Sequence, residues 1–336
     1  GQAVDLGGQV FAVDRSNRGE YMQFARSVSN AIVIDPTNPA YTLDLLRVLP
    51  GADAAERILP VLMRLFGITT GSPEAALLSD LIEPNYRARH KIHGLPELST
   101  HVARLASNPD LAAAQGQQRE PVIALAGQLR FWSQRTYART LFANDLHPLP
   151  LDAPMVVLRT HKLQLPGEDE NPADDPTKLF GEVIYSLFAT IAREALFDEP
   201  DTPGRFGLLV LDEALHLTRS TVGQAIITEF VLDGRKHNAA IGVASQDPAH
   251  FGRFTRLMPT LFLFRQVDEV LATDSLRMAS EDAAHDDYLR KQMINANPGE
   301  CFIKDLKGRL APMRFLLPAR PEREHAVLTT PTGQAA

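Results

Sequence analysis

An α/β fold is predicted for this 336-residue chain: a mostly parallel sheet flanked by helices, with an all-helical insertion and a C-terminal β-hairpin. Three observations predict it. Short apolar runs of buried-strand character stand at 9–14, 31–35, 153–161, 207–214, 239–246 and 259–266. Helical segments alternate with the later runs, which is the βαβ rhythm of a parallel sheet. Between 41 and 149 apolar residues fall instead at three- and four-residue spacing, as on amphipathic helices.

The elements follow in order. QVFAVD (9–14) reads as a buried strand ending in an acid and AIVID (31–35) as a second, with a turn and short helix in RSNRGEYMQFARSV between them. AAERILPVLMRLFGI and PELSTHVARLA carry the helical spacing of the insertion, and the turn clusters GSPE (71–74) and SNPD (107–110) divide it. The strand pattern returns in APMVVLRTH (153–161). GEDENPADDP (167–176) is a surface loop, and TKLFGEVIYSLFATIAREALF is a helix. ECFIKDLKGRLAPMRFLL (300–317) sets two apolar runs around a Lys-Gly turn, the pattern of a terminal hairpin. The core is thus expected from 1–40 and 150–320, the helical insertion from 41–149, and a flexible tail from 321–336.

Composition narrows the function classes. A net charge of -7 argues against general attraction to nucleic acid, while leaving a local basic groove open. The single cysteine, Cys301, allows neither an intrachain disulfide nor a thiolate metal cage and suits a reducing compartment. No apolar run approaches the roughly 18 residues that read as a membrane span. The expectation is a cytoplasmic protein, held at the inner face of the membrane only through partners.

The chemistry concentrates in GLLVLDEALHL (207–217). Its apolar run leads directly into Asp212 and Glu213, and a parallel strand delivers such residues to the carboxyl edge of the sheet, where ligands bind. There the first acid can hold a nucleotide's magnesium through water and the second can polarise an attacking water. A strand that merely ends in two acids before a helix is the alternative. Farther on come Arg235, Lys236, His237 and Asn238, then the strand AAIGVAS ending in Gln246. An amide at that tip can sense a γ-phosphate, and an arginine at a helix end can reach across a subunit boundary. A helix cap for Gln246 and a solvated last turn for Arg235 and Lys236 are the plainer alternatives. The joint order leads to the expectation that carboxylates, cationic helix end and amide converge at one rim of the sheet.

The block DEALHLTRSTVGQAIITEFVLDGRKHNAAIGVASQDPAHF (212–251) resembles the core of the large ATPases of type IV secretion and conjugative transfer, the TraC- and TrbE-like proteins. These are grouped with the FtsK- and HerA-like translocases among P-loop NTPases. FAVDRSNRGEY, with Asp14, Gly19, Glu20 and Tyr21, resembles the family's strand and turn after the phosphate-loop helix. LFLFRQ, with Arg265 and Gln266, resembles its late strand, and NPGECFIKD, with Gly299 and Glu300, its terminal strand. The likeness spans about 8–317.

The resemblance implies a RecA-like P-loop NTPase core that binds ATP and Mg2+ between subunits of a homo-oligomer, in the form of a hexamer. It implies secretion-channel membrane proteins as partners, with DNA as a further candidate. Asp212 would serve the metal, Glu213 the water and Gln246 the γ-phosphate, while Arg235 or Arg265 would reach the neighbouring site. Asp14 and Lys236 are further candidates for the nucleotide, and Glu20 for a catalytic or coupling carboxylate; a loop acid packed beside Tyr21 is the equal alternative for Glu20.

The family's phosphate loop ends in Gly-Lys-Ser/Thr, and no lysine of this sequence follows a glycine. The expectation is a fragment of a longer ATPase, inactive alone, with a degenerate paralogue as the alternative. A cytosolic DNA translocase of the same superfamily and a non-catalytic assembly subunit are the competing functions. His216, His237 and His250 fit no metal-ligand spacing. FWSQRTYARTLF (131–142), with Arg130, Arg135 and Arg139 near its aromatics, reads as an amphipathic helix burying its rings in preference to a nucleic-acid path.

Overall fold

The computed structural model describes residues 2–316 apart from 50, 52–53, 198–203 and 214; the tail expected at 321–336 lies outside the described residues. Among them the strands are β1 (Gln9–Asp14), β2 (Ile32–Ile34), β3 (Tyr41–Thr42), β4 (His147–Pro148), β5 (Met155–Arg159), β6 (Gly207–Asp212), β7 (Ala239–Ala244), β8 (Leu261–Phe264), β9 (Glu300–Lys304) and β10 (Leu310–Arg314).

The central sheet has the order β2-β5-β1-β6-β7, and every pairing in it is parallel. β1 and β5 are buried at every position, which explains their near-continuous apolar runs: both faces of a parallel sheet are covered. Alternate residues serve opposite faces. Phe11, Val13, Val156, Leu158, Leu209 and Leu211 join the large core, whereas Val10, Ala12, Met155 and Val157 pack with Ala25 and Val28 on the other side.

The helix Pro176–Leu196 lies on the first face. Its N-terminus is set by Pro176 in the first turn and by the Asp175 carboxylate, which accepts from the Thr177 N–H at 2.8 Å. It is buried on nearly all sides because it is layered between sheet and insertion. Phe188 meets Phe11 of β1 at 5.7 Å between ring centroids, and the buried Glu182 accepts from Arg64 Nε of the helix Ala54–Phe66 at 2.9 Å.

Helices dominate 45–142. The two expected turn clusters are helix starts: Ser72 and Asn108, like Glu83 between them, each accept a backbone N–H from the first turn and each precede a proline. β3 and β4 pair in parallel where the chain enters and leaves this region, and Thr42 Oγ1 donates to the Thr140 carbonyl at 2.9 Å. Strands of two residues are too short to leave a periodic signal, so this clasp was not legible. Core residues of sheet and helical region form one continuous cluster.

Two expectations are corrected. The stretch 131–142 is not one helix: Arg119–Ser133 ends there, a 3-10 turn spans Thr136–Ala138, and Arg139–Phe142 starts anew. Trp132 and Tyr137 both pack on Phe180, at 6.2 and 5.2 Å. Five residues on a continuous helix are turned apart by roughly 140°, so one helix could not present both rings to one partner. PTLFLFRQ likewise leaves the parallel sheet. β8 pairs antiparallel with β9, which pairs with β10 in the hairpin. The connection from β7 is a 3-10 run, Pro248–Arg256, broken at Gly252 (φ 46°), in place of a full crossover helix.

Truncation of Phe188 to alanine should cost about 3–5 kcal/mol in denaturant unfolding, since its ring is fully buried between sheet and insertion. Ile123→Ala, at a half-exposed position, should stay within about 0.5 kcal/mol.

Candidate functional site

Because the five strands are parallel, their last residues line one edge. Register places Asp14 of β1 opposite Arg159 of β5 and Asp212 of β6 opposite Ala244 of β7; Glu213 follows β6, and Ser245 and Gln246 follow β7. Asp212, Glu213, Gln246, Asp14 and Glu20 are therefore gathered on one side of the sheet.

Asp14 is fully buried, and its carboxylate is engaged by its own turn. It accepts from Ser16 N–H at 3.2 Å, Ser16 Oγ at 2.8 Å and Met22 N–H at 3.0 Å, and Arg159 Nη1 stands at 3.5 Å. Ser16 Oγ in turn accepts from the Gly19 and Glu20 N–H groups at 2.9 and 3.2 Å. Gly19 is required twice. Its φ of 72° is left-handed, and a Cβ there would lie 1.6 Å from Arg159 Nη1. Asp14 thus braces the turn that launches the helix Glu20–Ala25.

That brace brings further negative charge to the edge. Glu20 Oε2 is buried and makes no hydrogen bond. The carboxyl of Asp212 is raised above its ordinary value, first by burial and then by the charges of Asp14, Glu213 and Glu20, against one favourable N–H from Arg15. The Tyr21 hydroxyl, buried beside the same acids, is pushed up to about 12 by burial and then by Asp212, Asp14 and Glu20. Arg15 Nη1 is tied to the carbonyls of Thr160 and Leu163 at 2.8 and 3.2 Å. His216 is buried against Tyr185, and its imidazole is lowered to about 4 by burial and by Arg15, Arg219 and His250.

Glu213 has φ 83°, uncommon for a residue with a side chain. Its Oε1 accepts from Ser245 Oγ at 3.2 Å, and Ser245 Oγ lies 2.7 Å from His250 Nδ1. Gln246 is exposed beside them.

The cationic block does not share this edge. Helix Thr221–Asp233 runs back across the sheet, so Arg235 and Lys236 occupy the 3-10 turn Gly234–His237 before β7 begins. Asn238 O accepts from the N–H of Gly207, the first residue of β6, and His237 stacks on Phe197 at 4.5 Å. Six strand residues, about 20 Å, separate this end from Gln246. The expected convergence at one rim is corrected accordingly: a helix that returns between parallel strands must end at the opposite edge. Lys236 pairs with Asp233. Arg265 follows β8, is exposed, and donates from Nε to the Ile294 carbonyl at 3.1 Å.

Arg15, Arg159, Ser245 and His250 were not singled out for this edge from the sequence. Reading APMVVLRTH as a strand already put Arg159 at a carboxyl end, but its pairing with β1 is a fact of topology.

The AAA-like domain family matches residues 2–321. No match was found among curated proteins. Among solved structures, VirB4 of Thermoanaerobacter pseudethanolicus is similar at a TM-score of 0.64 and 17% identity, over 96% of this chain and 84% of that one. The plasmid coupling protein TrwB in complex with ADP and Mg2+ is similar at 0.55 and 12%, over 95% and 87%. TrwB with the non-hydrolysable GTP analogue GDPNP is similar at 0.53 and 13%, over 94% and 88%.

A carboxyl raised by burial and like charge weakens the fold as it ionises: folding is favoured at pH values where it stays protonated, and that advantage is lost as pH rises. Asp212→Asn should therefore raise the unfolding temperature at neutral pH, with a gain that shrinks as pH falls toward the ordinary carboxylate value of 3.8. Thermal unfolding across pH checks it; a gain independent of pH would contradict the charge account.

Proposed function

Because this chain belongs to the AAA-like domain family, we propose that it is the ATPase core of a type IV secretion or conjugation machine, coupling ATP hydrolysis to DNA or protein transfer. The observation that carries the reading is the Asp212-Glu213 pair at the carboxyl end of a buried parallel strand, with Gln246 closing the next strand at the same edge. The fold shared with VirB4 and with TrwB, which has been seen with ADP and Mg2+, supports it.

The residues present suit a magnesium nucleotide on its metal side. Asp212 is strained by neighbouring negative charge, and Glu20 Oε2 is buried without a partner; a hydrated divalent cation relieves both. Magnesium bound with a nucleotide needs only one or two carboxylates, the rest of its shell being water and phosphate oxygens. The grip on the β- and γ-phosphates is not assigned to residues of this chain, since no lysine follows a glycine. Magnesium-bound ATP supplies the transferable γ-phosphoryl group and the cation that offsets its charge.

Within that frame Asp212 would hold the hydrated cation. Glu213 orients the attacking water and takes its proton at Oε2, its Oε1 being occupied by the Ser245 hydroxyl. Gln246 meets the terminal phosphate. Asp14 and Glu20 act through the turn they shape, Asp14 by bracing it and Glu20 by adding charge beside Asp212. Arg235 and Lys236, at the far edge, can serve only another copy's nucleotide, and Arg265 is the second candidate for that duty. This requires a homo-oligomer, for which we propose a hexamer. Secretion-channel membrane proteins are its proposed partners, at the inner face of the membrane. Among the described residues no helix is long and apolar enough to cross a membrane.

In the full-length protein Glu213→Gln should lower ATP turnover about 10²–10⁴-fold while nucleotide affinity changes little. Unchanged turnover in that variant would end the hydrolase reading. Arg235→Ala should also be inactive, and mixing it with Glu213→Gln should restore part of the rate, because mixed interfaces pair an intact Glu213 with an intact Arg235. Stimulation of turnover by DNA would favour nucleic-acid transfer.

A further inference from the structure

We infer that Ser245 and His250 form a hydrogen-bond relay that positions Glu213, an assignment that rests on the ATPase reading for its functional consequence. The geometry is compact. His250 Nδ1 is 2.7 Å from Ser245 Oγ, Ser245 Oγ is 3.2 Å from Glu213 Oε1, and the direct His250 Nδ1 to Glu213 Oε1 separation is 3.6 Å. Ser245 has one proton to donate. If Nδ1 is bare, imidazole and carboxylate compete for that proton. If Nδ1 carries a proton, His250 donates to Ser245 Oγ, and the hydroxyl proton has only Glu213 to go to. His250 thereby decides whether Glu213 Oε1 is held.

Glu213 has need of such a hold. It sits at φ 83°, a backbone state that persists only where surroundings impose it, directly after a strand whose last side chain, Asp212, repels it. The relay comes from separate elements: Ser245 from the end of β7 and His250 from the 3-10 run that follows.

The groups facing His250 are few. Glu168 Oε2 lies 3.9 Å from its Nε2, on a loop pinned by Arg219, which donates to the carbonyls of Gly167 and Glu170. Arg219 shares with His250 a cavity beside Gln224 and Phe254, His216 lies within electrostatic range, and Asp247 O accepts the His250 N–H. Two carboxylates flank the ring, and the near one is reached through the serine. Glu168, at 3.9 Å from the outer nitrogen, is beyond hydrogen-bond length, so the contacts within reach of the ring's polar atoms converge on Nδ1.

The test uses the full-length protein with two readouts. His250→Ala should lower kcat roughly tenfold to a hundredfold with KM for ATP little changed. His250→Asn, whose amide nitrogen can stand near the place of Nδ1, should recover most of the rate, and His250→Gln should not. In a Glu213→Gln background, His250→Ala should have no further effect. Without nucleotide, nitrogen NMR of histidine-labelled protein should show the His250 Nδ1 resonance, assigned by its loss in His250→Asn, moving in Ser245→Ala.

Unchanged kcat in a His250→Ala protein of unaltered unfolding temperature would overturn the relay. So would an equal loss in the Glu213→Gln background, or a Nδ1 resonance indifferent to Ser245→Ala. Turnover that survives Glu213→Gln would instead remove the hydrolase reading, and the resonance would then decide the relay alone.

Discussion

Burial of β1 at the middle of a parallel sheet forces an acid into the interior, and much of the site follows from how that acid is satisfied. The strand is covered on both faces and flanked on both edges, so Asp14 at its end is cut off from water. A buried carboxyl group there is tolerable only with partners: it accepts hydrogen bonds from Ser16 and the Met22 N–H, and the Arg159 guanidinium stands as an ion-pair partner at 3.5 Å. Meeting that need bends the chain through a left-handed Gly19 into which the guanidinium packs. The turn then delivers Glu20 and Tyr21 next to Asp212. The Asp14 carboxylate itself is well supplied with hydrogen bonds, whereas Asp212 is surrounded by like charge. This imbalance leaves one edge of the sheet short of positive charge, the condition a cationic ligand relieves.

The same topology separates functions that the sequence sets close together. Asp212 and Arg235 are joined by one helix, yet a crossover must return to the starting edge before the next strand can run parallel. Arg235 is therefore remote from its own chain's carboxylates, and the cationic turn faces outward beside the first residue of β6. For an enzyme that completes its site between copies this is a usable arrangement; for a monomer it would be idle. The helical region closes on its own base through β3, β4 and Thr42, and shares one core with the sheet through the helix Pro176–Leu196.

What could be read before the structure was whatever depends on a residue's own neighbours in the chain. GLLVLDEA announces a buried strand with acids at its tip, GSPE (71–74) and SNPD (107–110) announce breaks between helices, and the Lys-Gly turn announces a hairpin. The pairing of β8 with β9 was not legible, because LFLF has the same apolar character in either sheet. Nor was the break after Ser133, which exists because two rings seek one distant phenylalanine. Ser245 was hidden inside a strand ending, and His250 drew notice only as a metal ligand that fits no pattern.

By itself, then, the sequence determined the α/β class, the helical region, the hairpin and the identity of the acids and amide that end strands, since periodicity and strand termination are local and obey the backbone's own geometry. Only the tertiary structure decided which strand ends lie side by side, that Arg159 neutralises Asp14, that Arg235 stands at the far edge, and that a serine and a histidine reach Glu213. Those are contacts between segments distant in the chain or turned by a loop. They are selected by which buried surfaces and buried charges can be satisfied together, and no single stretch of sequence carries that information.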